Sequence, residues 1–245
     1  MSKRYFVLDA IRGFTLLSMI VYHAVWDFVY LFGFEWQWYQ SKSAYLWQQS
    51  ICWTFILLSG FCQPLGRKKW KRGFTIFLFG FLITIVTTAV MPENCVWFGV
   101  LTLIGSCMLL FIPAERILKK CHPILGFTIA FTLFVFTRNI NEGFLGFGHF
   151  YRLTVPDCLY HNLITTYLGF PMKGFHSTDY FSLAPWIFLF VSGYFIHQFM
   201  AQKHLLCHLE PSRIKPVEWL GQHSLEIYLI HQPALYLFFT VLFSL

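Results

Sequence analysis

Seven runs of largely apolar residues, each long enough or nearly long enough to cross a bilayer as a helix, succeed one another along the chain: 5–31, 44–62, 74–90, 96–113, 123–136, 181–200 and 219–243. Short polar or basic segments separate them. Of the 245 residues, 57% are hydrophobic and only 12% charged, against about 25% charged in an average soluble domain. Such a chain cannot cover a water-facing surface, so soluble enzyme classes are excluded. The expected fold class is an all-α, polytopic transmembrane helix bundle of about seven spans, forming a single domain over 1–245. The stretch 159–170, between Pro156 and Pro171, is too short and polar to span easily. It reads as a re-entrant or interfacial helix, with an eighth span as the alternative.

Basic residues collect in the loops of cytoplasmic segments, which gives an independent check on these runs. With the N-terminus inside, Lys3, Arg4, Arg67, Lys68, Lys69, Lys71, Arg72, Arg116, Lys119, Lys120, Lys203, Arg213 and Lys215 fall on the inner side. Only Lys42, Arg138, Arg152 and Lys173 fall outside, and Arg12 lies within the first span. The net charge of +7 therefore encodes topology and does not mark a nucleic-acid binder. The seven cysteines include no C-x-x-C pair and signal no zinc site. A multi-pass integral membrane protein fits these features, and membrane lipids are its first expected partners; a homo-oligomer is compatible with them.

Ionisable residues in a span cost about 2.5–3.5 kcal/mol each and by default face a protein interior. The first run carries four, Asp9, Arg12, His23 and Asp27. Eleven residues separate Arg12 from His23, which at 100° each returns to within about 20° of the same face, roughly 16 Å further along the axis. Asp9 stands three residues before Arg12, within reach of an ion pair, and Asp27 four after His23. Arg12 would then meet an anionic group from the cytosol, while His23 sits in the outer half.

The last run is also unusually polar. Ser224, Tyr228 and His231 are spaced at four and three and share a helix face, and Pro233 follows. The sixth run opens on Asp179-Tyr-Phe-Ser-Leu-Ala-Pro-Trp186, which puts Asp179 at its outer mouth. The basic loop from Gly66 to Gly73 is explained by topogenesis and anionic lipid, with docking of a phosphate-rich donor as the sharper reading.

These motifs resemble a known family. Arg4-Tyr-Phe-Val-Leu-Asp-Ala-Ile-Arg-Gly13, then Met19-Ile-Val-Tyr-His23 and Trp26-Asp27, look like the opening of the integral-membrane acyltransferases, in the bacterial branch related to heparan-alpha-glucosaminide N-acetyltransferase. Phe55-Ile-Leu-Leu-Ser-Gly60, Asp179 to Trp186, and Leu220-Gly-Gln-His-Ser-Leu-Glu-Ile-Tyr-Leu-Ile-His-Gln-Pro233 continue the likeness. The resemblance implies a multi-helix enzyme that passes an acyl group, usually acetyl, from cytosolic acyl-CoA to a saccharide acceptor across the membrane. It makes His23 the catalytic candidate, Arg12 a donor-binding residue and Asp27 the residue that orients His23. No metal is expected.

Acyl transfer to a hydroxyl or amine needs a base for the acceptor proton, and a neutral histidine suits that task. His23 is the expected base, with Asp27 holding its tautomer. Ser224, Tyr228 and His231 join Arg12 as candidates on the donor side, Tyr228 or His231 as hydrogen-bond donors to the developing oxyanion. Asp179, Trp26 and Trp186 are the candidates for contact with the acceptor. Two other readings fit polar faces on spans: a proton-coupled transporter of small solutes, and a membrane scaffold without turnover.

Overall fold

The computed structural model describes residues 4–147 and 151–243; Lys3, one of the residues counted for topology, lies outside the described residues. The fold is the expected all-α polytopic bundle. Nine α-helices follow one another among the described residues: α1 (Phe6–Tyr30), α2 (Lys42–Cys62), α3 (Lys69–Val90), α4 (Val100–Leu118), α5 (Pro123–Thr137), α6 (Leu163–Leu168), α7 (Leu183–Gln202), α8 (Lys215–Gln222) and α9 (Ser224–Phe243). Six of these are long and apolar enough to cross a membrane: α1, α3, α4, α5 with its continuation to Glu142, α7 and α9. Helix α2 has the length, but Lys42, Gln48 and Gln49 lower its hydropathy.

Proline chemistry sets some boundaries and fails to set others. Helix α5 opens on Pro123, where a missing N–H costs nothing, and α3 stops just before Pro92. Pro113 does not end α4. The fourth run was expected over 96–113, whereas the helix begins only at Val100, after Phe98 adopts a φ of 56°, and passes through Pro113 to Leu118. The run 219–243 is likewise not one helix. His223 leaves helical geometry with φ −102° and ψ 23°, so Trp219 and Gln222 belong to α8 and the last span starts at Ser224.

In the stretch 159–170 the helix is α6, which is too short to span. Asn162 caps it by accepting a hydrogen bond from the Thr165 N–H at 2.9 Å. An antiparallel pair, β1 (Phe144–Gly146) and β2 (Arg152–Thr154), joins Phe144 to Thr154 and Gly146 to Arg152; no alternating pattern announces three-residue strands.

The chain divides into two compact units, Met1–Phe55 with Lys203–Leu245, and Ile56–Gln202. In the first unit Leu16, Met19 and Ile51 form a core closed by Trp47, Leu220, Ile227 and Tyr228. There α1 and α8 meet backbone to backbone. A Cβ on Gly13 would strike the Val217 carbonyl, and one on Gly221 would strike the Asp9 carbonyl and the Gly13 nitrogen. Two glycines facing each other's helices allow an approach that larger residues forbid. In the second unit α3 packs along α4 and α5 along α7, around Leu103, Phe134, Leu189 and Phe190.

Candidate active site

The first unit carries most of the polar groups singled out from the sequence, at two levels of α1. At the lower level Asp9 is buried, and both of its oxygens are engaged. Arg4 Nε donates to Oδ2 at 2.9 Å and Arg12 Nη1 to Oδ1 at 3.3 Å. Arg12 Nη1 also reaches the Gly221 carbonyl at 3.4 Å. The glycine crossing makes this last bond reachable, because only a close α1–α8 approach brings that carbonyl within range. Arg12 thus ties α1 to α8 as well as pairing with Asp9.

At the upper level α1 meets α9. The His23 and His231 rings stand edge to face with centroids 4.9 Å apart. His23 is half-buried, and its ring also stands edge to face with that of Tyr22, centroids 6.0 Å apart. His231 is 9% exposed. Its Nδ1 lies 2.6 Å from the Tyr228 carbonyl oxygen, and a carbonyl can only accept, so Nδ1 carries the proton. Nε2 of the neutral ring then holds a lone pair, and it is buried without a partner among the described residues. The oxyanion donor role expected for His231 requires an N–H at Nε2, which this tautomer lacks. Tyr228 packs against the same ring at 5.4 Å. Ser224 begins α9, two turns before His231.

Asp27 was expected to hold His23. The structure turns it elsewhere: its carboxyl is 0% exposed and Oδ1 accepts from Gln232 Nε2 of α9 at 2.5 Å. The reason is geometric, since the neighbouring helix presents an amide at this level and the i, i+4 histidine does not bend back to meet it. Gln232 stands among the polar residues that make the last run unusual, but periodicity alone gives it no role, since nothing in the sequence says which helix it faces.

A cleft of about 570 Å³ opens beside this pair, lined by His231, Glu226, His223 and Trp219 at its polar end and by Ile230 and Phe238 among its apolar residues. His231 therefore borders both the cleft and His23. Trp26 packs on Tyr30 with centroids 5.3 Å apart.

Two expected acceptor contacts lie in the second unit. Trp186 is 3% exposed, enclosed by Phe134, Phe181 and the Arg138 guanidinium, 4.7 Å above its ring; it is core. Asp179 Oδ2 accepts the Val100 N–H at 3.3 Å, satisfying a free donor at the start of α4. Burial pushes the Asp179 carboxyl up to about 6, against the downward pull of that N–H. Neither residue is brought together with His23 within one unit.

The family described as heparan-alpha-glucosaminide N-acetyltransferase, catalytic, matches residues 4–233. The chain belongs to this family. It is accordingly a membrane acetyltransferase by descent, and the matched span of the acetyltransferase domain takes in both levels of α1 and the His231-Gln232 pair of α9. No curated protein and no solved structure matched the chain. Among the described residues no group of three or more His, Cys, Asp or Glu side chains is placed to hold a metal ion.

Proposed function

We propose that the protein takes an acetyl group from acetyl-CoA and delivers it to a hydroxyl or amine of a saccharide acceptor, with His23 as the base. The observation that carries this reading is the pair of rings 4.9 Å apart, with Nε2 of His231 buried and unpaired among the described residues. Unsatisfied polar atoms are costly in a bilayer, and they concentrate where a substrate supplies the missing partner.

In this scheme the acceptor oxygen or nitrogen attacks the thioester carbonyl carbon while His23 takes its proton. The tetrahedral adduct collapses, the carbon–sulfur bond breaks, and the CoA sulfur leaves with the proton returned by His23. Tyr228 is the donor for the developing oxyanion. The Nε2 lone pair of His231 accepts a hydrogen bond from the saccharide acceptor and so orients it, with its own tautomer held by the Tyr228 carbonyl as a carboxylate holds it in a triad. With the N-terminus in the cytosol, Arg12 lies on the side from which a phosphate-bearing donor arrives. A hydrolysable thioester gains from the water-poor setting.

The test is acetyl transfer by the purified full chain in nanodiscs, from donor labelled in its acetyl group to oligosaccharides ending in glucosamine. His23→Ala is expected to lose about 100-fold or more in turnover while melting like the wild type. A folded His23→Ala protein with full transfer would remove His23 from the mechanism.

A further inference from the structure

The contact between Asp27 and Gln232 leaves two atoms unexplained. Gln232 Nε2 donates to Asp27 Oδ1, yet Asp27 Oδ2 and Gln232 Oε1 are both buried with no partner among the described residues. Each is an acceptor when the carboxyl is ionised, so they cannot satisfy one another in that state. A single proton on Oδ2 changes this. The carboxylic acid would then donate to Oε1 while Oδ1 continues to accept from Nε2, a pairing that would give each of the four heteroatoms a partner. The surroundings favour the same state: Asp27 is 0% exposed, and no described Lys, Arg or His nitrogen makes an ion pair with it. An ionised, unpaired carboxylate is among the most expensive groups to bury.

We infer that Asp27 and Gln232 form a neutral carboxylic acid–amide clamp that fastens α1 to α9 and sets the His23 and His231 rings against each other. Gln232 adjoins His231 in sequence, and Asp27 lies one helical turn beyond His23, about 6 Å along the axis. The clamp therefore sits where small shifts between the helices change the ring-to-ring distance most directly. Both residues act through the histidines and are positioning residues, a role that rests on the acetyl-transfer reading; the protonation of the pair does not. This assignment replaces a charged aspartate acting on His23 with an uncharged one acting on the neighbouring helix.

Isotope-edited infrared spectra of the full chain, carrying ¹³C-labelled aspartate, read the pair directly. Near pH 8, where an ordinary carboxylate is ionised, the wild-type minus Asp27→Asn difference is expected to contain the carbonyl stretch of a protonated carboxylic acid. A difference containing only carboxylate bands overturns the proposal whatever the protein's activity. The second arm is rescue. Asp27→Ala and Gln232→Ala are expected to lower kcat about tenfold with KM changed less than about twofold. Asp27→Asn, whose amide reproduces both hydrogen bonds without a proton, is expected to restore most of that loss. Asp27→Asn as impaired as Asp27→Ala, in a folded protein, means that the charge itself acts and refutes a neutral clamp. If the wild type transfers no acetyl group at all, the infrared result still decides the pair.

Discussion

Replacing Gly221 by alanine puts a methyl group into the main chain of the helix it crosses. The new Cβ meets the Asp9 carbonyl and the Gly13 nitrogen, neither of which can rotate aside as a side chain would, so α1 and α8 must move apart. Overpacking of this kind costs about 1–3 kcal/mol. Alanine also narrows the unfolded ensemble, which stabilises by about 0.4–1 kcal/mol, so a proper control must share that gain. Gly66→Ala supplies it: there the Cβ meets chiefly the end of the flexible Arg72 side chain at 3.2 Å, and the backbone has an ordinary φ of −79°. The two variants should therefore differ by the full clash. For a chain of this size that is about 2–12 °C in melting midpoint, taking about 2–4 °C per kcal/mol. Thermal unfolding of both proteins in the same detergent measures it. A Gly221→Ala protein that melts with Gly66→Ala would refute the claim that this crossing is at closest approach, and with it the account of how Arg12 reaches the Gly221 carbonyl.

Other consequences follow from the same geometry. The Asp179 carboxyl titrates near 6 in the folded protein, above its unfolded value near 3.8, so the native state holds its proton more tightly and is favoured at low pH. Its contribution should fade as pH rises from about 4 to 6, and Asp179→Asn should remove that part of the slope in melting point against pH. Glu218 has the opposite sign: the Ser212 hydroxyl, with the Ile214 and Arg213 N–H groups and the charge of Lys215, holds its carboxyl below the ordinary range. The stabilisation it provides is present above about pH 4.5 and lost as pH falls further, a loss that Glu218→Gln should not show in acid melting curves. His231→Ala should reduce acetyl transfer about 100-fold or more with its melting point near that of the wild type; unchanged turnover would leave His231 a packing residue.

The membrane fold was plain from the sequence because apolar length is a one-dimensional property, and α1, α2, α5 and α7 follow their apolar runs to within two residues at each end. What composition could not reveal was where helices break for reasons of local geometry: His223 divides the last run although it is no helix breaker, while Pro113 fails to end the fourth helix. In the candidate site, helical periodicity was enough to select His23 and His231 because each is costly in a span. Their partners depended on which helix faces which, and that lies beyond periodicity. Asp27 found Gln232 instead of His23, Asp179 found the Val100 N–H, and Trp186 went into a core. The Gly13–Gly221 crossing is visible only once both helices are placed, since a glycine without its opposite number looks like any other.

Binding of an acyl-CoA through the first unit is the property on which the proposed activity depends. Calorimetric titration of acetyl-CoA into the purified full chain, with Arg12→Ala and His23→Ala beside it and all three shown to be folded, asks this without knowledge of the acceptor. Saturable binding to the wild type and to His23→Ala, with binding lost in Arg12→Ala, is the expected result. A folded wild-type protein that takes up no heat with acetyl-CoA would contradict the proposed donor and leave the paired histidines without the reaction assigned to them.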